Sequence, residues 1–118
     1  MSAPITLIVE SAVAEGKLNE LRSLTAEVAA HCAETEDGLL TYDWFISDDS
    51  TRIRVFEQYA DSDAIRFHAG NYATFLPALA ECRTVERMTI LGEPDDELRQ
   101  MLEARGAGIF GPFASLPR

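Results

Sequence analysis

The sequence has few of the features that mark exported, membrane-bound or metal-dependent proteins. It contains only two cysteines, Cys32 and Cys82, at a spacing that matches no metal or redox motif. Two cysteines do not make a disulfide framework, so a reducing cytoplasm is the expected location. Neither a basic leader nor a long apolar run is present, so we expect no signal peptide and no membrane span.

Positive charge is also scarce. The 118 residues include 10 Lys and Arg against 20 Asp and Glu, which gives a formal net charge of −10. Because no basic stripe or run occurs, neither nucleic acid nor an anionic membrane is an expected partner. The length predicts a single domain over residues 1–118, with a core at about 5–91 and a C-terminal helix and docking tail at 92–118.

Signals for a bound cofactor or metal are missing as well. No glycine-rich phosphate-binding loop occurs, so a flavin or nicotinamide held by a dinucleotide motif is not predicted. The two histidines, His31 and His68, are far apart and have no paired acid at ligand spacing. The sequence therefore predicts no metal site.

The sequence does contain a regular succession of strand and helix patterns. Alternating apolar residues predict strands over Ile5 to Glu10, Leu39 to Ser47, Arg52 to Tyr59 and Thr84 to Leu91. Three-to-four spacing and capping residues predict helices at about 16–35, from Asp61 or Ser62 to Leu79 with a break at 70–71, and at about 96–105. The order predicts an α+β, ferredoxin-like βαββαβ fold with a four-stranded antiparallel sheet and an extra C-terminal helix. The glycine-rich but apolar tail after residue 105 is expected to dock.

Two helices can cover only one face of such a sheet. The apolar face expected beneath them comprises Leu7, Tyr42, Trp44, Val55, Tyr59 and Val85. The apolar residues expected on the opposite, mixed face are Ile8, Phe45, Phe56, Met88 and Ile90. Because a monomer would expose them as one patch, the sequence predicts a homodimer that packs sheet against sheet.

The junction between the third strand and the second helix carries the candidate chemistry. Glu57 and Tyr59 share the strand face that the helix covers, and His68 lies two turns into that helix. A buried carboxylate is costly unless it is paired or functional, and a histidine pKa near 6.5 suits proton transfer. His68 and Glu57 are the predicted catalytic residues. The alternatives are a structural core histidine and an ion pair of Glu57 with Arg66 or Arg87.

Aromatic residues close to this junction are candidates for the walls of a flat pocket. Tyr59, Trp44 and Tyr42 could hold an aromatic ring between them. The alternative is that they form ordinary core, which applies more to Tyr42 than to Tyr59. The sequence therefore predicts a site for a small aromatic molecule.

Several of these segments, in their order and spacing, resemble the antibiotic biosynthesis monooxygenase family of dimeric α/β-barrel proteins. The matching segments are Glu36-Asp37-Gly38-Leu39-Leu40-Thr41-Tyr42, Glu57-Gln58-Tyr59, Asp61 through His68, and Phe75-Leu76-Pro77-Ala78-Leu79. The resemblance covers roughly residues 5–91. Asn71 and Tyr72 stand where many relatives have a Pro-His pair, and they complete the predicted substrate-binding set.

The resemblance implies a cofactor-independent monooxygenase that acts on a quinol or polyphenol-like small aromatic molecule, with His68 as proton shuttle. It does not extend to the mechanism of the anthrone-oxidising members, because Val55 and Ile65 replace their Asn and Tyr. It does not extend to haem degradation either, because no asparagine lies between Ile5 and Glu10.

Two other functions remain open from the residues alone. His68 and Glu57 could act by acid–base transfer in an isomerase or lyase on a small oxygenated metabolite. The chain could also be a ligand-binding dimer without catalytic activity. Oxygen consumption with a quinol distinguishes the first function from these two.

Overall fold

The computed structural model of the protein describes residues 3–117 and contains five strands in one mixed sheet. The strands are β1 (Ile5–Val13), β2 (Leu39–Ile46), β3 (Arg52–Tyr59), β4 (Arg83–Leu91) and β5 (Gly108–Phe110). The helices are α1 (Leu18–Thr35), α2 (Ser62–Asn71), α3 (Leu76–Cys82) and α4 (Asp96–Ala104), with a short 3-10 turn at Ala73–Phe75. The strand order β2-β3-β1-β4-β5 is that of a ferredoxin-like fold with one added edge strand.

The prediction of a four-stranded antiparallel sheet is wrong in one respect. Strands β1 to β4 pair antiparallel as predicted, but β5 pairs parallel to β4, with Ile109 opposite Ile90. Three residues in a glycine-rich segment are too few to show the alternation that reveals a strand. In the tail that was expected to dock, Gly108–Phe110 pair with β4, whereas Phe113 and Leu116 farther along are 102% and 72% exposed.

The predicted faces of β4 are wrong beyond a β-bulge in this strand. Val85 pairs with Ser11 and Arg87 with the adjacent Glu10, so Glu86 is an extra residue on β4. The extra residue reverses the alternation that follows. Met88 and Ile90 consequently contact the helix-side core instead of the open face on which they were predicted.

All four helices cover the same face of the sheet, in two adjacent clusters of buried residues. The first cluster joins α1 and α3 to the sheet through Val9, Leu21, Val28, Cys32, Ile53, Val55, Leu79 and Cys82. The second joins α2 and α4 to it through Ile5, Leu7, Tyr59, Ile65, Ile90, Leu98 and Leu102. The last helix is therefore part of the core, because its Leu98 and Leu102 are buried against the sheet.

Local interactions set the position of α2, the helix that carries His68. Asp61 caps it by accepting a hydrogen bond from the backbone N–H of Ala64 at 2.9 Å. Gly38 lies so close to this turn that a Cβ there would be 2.6 Å from the Cβ of Ala64. The missing side chain lets the start of β2 approach α2, and Glu36 comes within reach of the helix.

No helix within residues 3–117 combines the length and apolar character needed to cross a bilayer.

Candidate active site

His68, Glu57 and Tyr59 converge on one pocket beneath α2. The pocket has a volume of about 130 Å³ and lies where the two core clusters meet. Its lining also includes Leu7, Val9, Tyr42, Ile65, Tyr72, Arg83, Met101 and Arg105. Strand alternation places Glu57 and Tyr59 on the helix-side face, and the helical period turns His68 towards them.

The imidazole of His68 is held from behind by a carboxylate that sequence analysis had not assigned to the site. His68 Nδ1 lies 2.8 Å from Oε2 and 3.0 Å from Oε1 of Glu36. An ionised carboxylate only accepts hydrogen bonds, so Nδ1 carries the proton and donates it. The lone pair of the neutral ring is therefore on Nε2, the nitrogen available to a molecule in the pocket.

A chain of hydrogen bonds fixes Glu36 in turn. Asn71 Nδ2 donates to Glu36 Oε2 at 2.9 Å and lies 2.8 Å from Thr35 Oγ1. His31 Nε2 lies 3.2 Å from both the backbone oxygen and Oδ1 of Asn71. Asn71, a predicted substrate-binding residue, thus lies outside the pocket lining and supports the carboxylate that orients His68.

Aromatic side chains enclose the His68 ring. Tyr72 stacks on it with ring centroids 4.4 Å apart, and Tyr42 and Tyr59 present their rings edge-on at 5.3 and 5.5 Å. Burial raises the pKa of all three phenols, so they remain protonated and neutral. The predicted substrate-binding residues Tyr42, Tyr59 and Tyr72 therefore do line the pocket beside His68.

Trp44 is placed differently from the other aromatic residues. It does not line the pocket but borders a separate depression on the α1 side. The Arg83 guanidinium lies 4.9 Å from its ring centroid, and the Tyr42 ring is 5.8 Å away. Its Nε1 is buried without a hydrogen-bond partner in residues 3–117. Arg83 and Tyr42, which do line the pocket, thus lie next to Trp44.

Glu57 is buried in the pocket wall and accepts a 2.5 Å hydrogen bond from the Tyr59 hydroxyl. Desolvation raises its pKa, and the Tyr59 hydrogen bond opposes that rise only in part. The alternative ion pair with Arg66 or Arg87 is wrong, since Arg66 binds Asp63 and Asp95, and Arg87 is opposite Glu10 on the other face. Glu57 is thus a carboxyl group in the same pocket as His68, and its raised pKa favours the protonated form.

The chain matches a family model described as antibiotic biosynthesis monooxygenase over residues 4–83. It belongs to this family. The assignment confirms the resemblance seen in the sequence, and the matched segment holds all the residues that orient His68. None of the curated proteins matches the sequence significantly.

Solved structures share the fold of this monooxygenase-family chain. MupZ from Pseudomonas fluorescens is 19% identical with a TM-score of 0.87, and the match covers 98% of this chain and 94% of MupZ. SnoaB from Streptomyces nogalater, a cofactor-independent oxygenase, is 20% identical with a TM-score of 0.67, covering 78% and 94% of the two chains. Rv0793 from Mycobacterium tuberculosis is 26% identical with a TM-score of 0.66, covering 80% and 98%. The MupZ match extends across α4 and β5.

Cys32, Glu36 and His68 form a buried group whose ligand-type atoms all lie within 4.8 Å of one another. The distance of 2.8 Å between Nδ1 of His68 and Oε2 of Glu36 is that of a hydrogen bond. Two ligands of a tetrahedral zinc ion, each bound at about 2.0 Å, lie roughly 3.3 Å apart. Burial also raises the pKa of the Cys32 thiol to about 12, which keeps it protonated. The contacts thus describe a hydrogen-bonded cluster, and we assign no metal to it.

Glu36 was missed because its segment was interpreted as the end of the first helix and as part of the family resemblance, and its carboxylate was given no role in the site. A signal was nevertheless present in the spacing of Val28, Cys32 and Glu36, which continues the buried stripe of α1 by steps of four. An acid at the end of an apolar stripe must find a partner when it is buried. The identity of that partner depends on the packing of α2, which local spacing does not determine.

Replacing Glu57 by glutamine is expected to stabilise the protein more at neutral than at acidic pH. Desolvation raises the pKa of Glu57 above its usual 4.5, so its contribution to stability is fully present below that pH. The contribution is lost as the pH rises through the folded-state pKa. Glutamine stays neutral and can still accept the Tyr59 hydrogen bond.

Urea unfolding at about pH 5 and about pH 8 measures the effect as a difference in the free energy of unfolding that widens with pH. Glu34→Gln, on the exposed side of α1, is the matched control and should show no widening. An equal difference at both pH values would show that the buried carboxyl does not titrate abnormally.

Proposed function

We propose that this family member is a cofactor-independent monooxygenase that oxidises a small phenol or quinol, with His68 as the proton acceptor. The observation that carries the proposal is the orientation of His68. Glu36 engages Nδ1, so Nε2 is available to a molecule in a pocket lined by Tyr42, Tyr59 and Tyr72. SnoaB, which shares the fold, is a cofactor-independent oxygenase.

The reaction needs only a proton acceptor, an electron-rich ring and oxygen. Nε2 of His68 takes the phenolic proton, and the phenolate passes one electron to O2, which yields a phenoxyl radical and superoxide. These combine at a ring carbon as a peroxide, and its O–O bond breaks. One oxygen atom remains on the ring as a carbonyl, while the other leaves as water with the proton held by His68 and the hydrogen of the ring carbon. For hydroquinone the balance is one quinol and one O2 to one hydroxyquinone and one water.

The pocket suits this chemistry through its size and its aromatic lining. Its volume of about 130 Å³ is close to that of an engineered cavity of about 150 Å³ that binds benzene, so a single ring fits. The neutral tyrosines provide apolar ring faces and hydroxyl donors near a developing phenolate. Glu57 supports the anion best in its protonated form, which its raised pKa favours.

The test is oxygen uptake by the purified protein with a series of quinols, measured with an oxygen electrode after treatment with a chelator. The proposal predicts uptake that depends on both protein and quinol and yields one hydroxyquinone for each O2. Binding of quinols without oxygen uptake would contradict it and favour a non-catalytic ligand-binding protein.

A second candidate, an isomerase or lyase, is favoured by one specific observation. His68 and Glu57 line the same pocket, and desolvation raises the pKa of Glu57, which favours the form that can donate a proton. A base and an acid at one site can move a proton between two positions of a substrate. Conversion of an oxygenated metabolite under argon, at the same rate as in air, would favour this function over oxygenation.

We also propose that a second copy of the chain covers the open face of the sheet. Ile8 and Phe56 are partly buried on this face, and Phe45 and Leu91 are 57% and 41% exposed. The Arg54–Glu10 and Arg52–Glu86 ion pairs lie among them. The apolar set is smaller than predicted, because Met88 and Ile90 belong to the core.

Phe56→Asp is expected to dissociate the proposed dimer and so halve the molecular mass measured in solution. The reason is that it would place an unpaired carboxylate in the buried interface. Light scattering should give about twice the chain mass of 13.0 kDa for the native protein and 13.0 kDa for the variant. The control is Phe67→Asp on α2, where the ring is 55% exposed away from the sheet. A native protein that is monomeric at micromolar concentration would refute the dimer.

The two cysteines are consistent with the predicted reducing cytoplasm. Cys32 and Cys82 are both free and buried, and burial raises the pKa of each thiol. Neither residue depends on an oxidising compartment for its structure, so a cytoplasmic location is part of the proposal.

A further inference from the structure

Two arginines in the pocket lining have no counterion, although the protein is strongly acidic. Arg83 and Arg105 line the same pocket as His68. Neither forms an ion pair with a carboxylate in residues 3–117, unlike Arg52, Arg54, Arg66 and Arg99. Arg22 and Arg87 also have no ion pair in these residues, but they do not line the pocket. Glu57 lines the same pocket and feels the positive charge of Arg83, but it is not within ion-pair distance of either arginine. Desolvation raises the pKa of Glu57 and favours its neutral form, so the positive charge of the two arginines is left without a close counterion.

Arg83 is fixed in position at the first residue of β4. Its Nη1 donates a hydrogen bond to the buried Ser11 hydroxyl at 3.2 Å, and its guanidinium lies 4.9 Å from the centroid of the Trp44 ring. These contacts occupy one edge and one face of the guanidinium. Its other N–H groups form no hydrogen bond within residues 3–117, so they can bind an oxygen anion in the pocket.

Arg105 approaches the pocket from the end of α4. It is exposed, and its positive charge and that of Arg83 both act on the Tyr72 hydroxyl in the pocket wall. An anion bound near both guanidinium groups would offset their mutual repulsion. A carboxylate matches the fork geometry of arginine and is the usual partner of such a group.

We propose that the substrate carries a carboxylate, which Arg83 and Arg105 bind while its phenolic hydroxyl faces Nε2 of His68. This inference rests on the proposed oxygenation of a phenol and specifies its substrate class as aromatic hydroxy acids. The local positive charge offsets the repulsion that a net charge of −10 exerts on an anionic substrate. The alternative role of Arg105 is to complement the dipole of α4. In that case, removing its charge would leave the affinity for a carboxylate ligand unchanged.

The test compares gentisate with hydroquinone, since gentisate is hydroquinone with one added carboxylate. Isothermal titration calorimetry under argon measures binding without turnover. We expect gentisate to bind about 10-fold more tightly than hydroquinone, with an affinity that falls as salt is added. Arg83→Gln should weaken gentisate binding about 10-fold and Arg105→Gln about 3-fold, and neither should weaken hydroquinone binding.

Arg87→Gln is the matched control, because it removes an exposed arginine of β4 on the opposite face of the sheet. It should leave the binding of both compounds unchanged. If circular dichroism shows that Arg83→Gln does not fold, the Arg105→Gln variant at the exposed helix end decides the question.

Equal affinity for the two compounds, or an equal loss in all three variants, would overturn the carboxylate site. Oxidation of hydroquinone as fast as gentisate would also overturn it, although the oxygenase function would stand. Tight, arginine-dependent binding of gentisate without oxidation of either compound would support the carboxylate site and refute the oxygenase function.

Discussion

Replacing His68 with alanine is expected to lower kcat/KM for quinol oxidation by roughly 10²- to 10⁴-fold, the contribution of a positioned acid–base group. The phenol reacts with oxygen only as its anion, and Nε2 of His68 is the acceptor that the pocket provides. Alanine is favourable in a helix, so α2 should persist. The measurement is steady-state oxygen uptake across a series of quinol concentrations.

Two controls separate this loss from unfolding. The variant should keep its circular dichroism spectrum, and added imidazole should restore part of the rate by entering the vacated space. Alanine at His31, which is outside the pocket lining, should cost much less activity. A His68→Ala enzyme with more than about a tenth of the native rate would show that His68 is not the proton acceptor.

Replacing Glu36 with glutamine is expected to lower kcat by about 10- to 100-fold while KM changes little. The carboxylate holds the proton on Nδ1 and stabilises the positive charge that His68 gains on accepting the phenolic proton. A neutral amide keeps the size of the side chain but removes that charge. Substrate contacts are unaffected, because Glu36 is outside the pocket lining.

The adjacent Asp37 provides a matched control for the loss of one negative charge. It is exposed at the end of α1, so Asp37→Asn should leave kcat unchanged. The pH profile gives a second readout, since Glu36→Gln removes the charge that stabilises protonated His68 and should shift the ascending limb that reports on His68 to lower pH. An unchanged kcat and pH profile would show that Glu36 is merely a structural partner of Asn71.

The sequence predicted the parts of the fold that depend on local periodicity. The stripe of Leu21, Val28 and Cys32 identified α1, and the Asp61 cap located the start of α2. The β4 bulge could not be predicted, because one inserted residue leaves the composition of the strand unchanged while it reverses the faces of Met88 and Ile90. The short strand β5 depends on its partner β4 rather than on its own pattern.

In the candidate site, too, the sequence predicted what depends on local periodicity and missed what depends on tertiary packing. Glu57, Tyr59 and His68 were expected to converge because strand and helix periods place them on facing surfaces, and they do converge. The partnership of Glu36 with His68 joins residues 32 positions apart and depends on how closely α2 approaches the start of β2. Trp44 pairs with Val55, two residues along the strands from the Tyr42–Glu57 pair that lines the pocket. Alternation predicts that both pairs share a face, but it does not predict which of them the pocket reaches.

The most direct test of the oxygenase account is a single turnover with oxygen gas labelled with the heavy isotope. The protein, freed of metals by a chelator, is mixed with a quinol and the product is analysed by mass spectrometry. The account predicts that the native protein inserts one labelled oxygen atom into each hydroxyquinone and that His68→Ala does so at a much lower rate. A product without label, or labelling that is equally fast in His68→Ala, would contradict it.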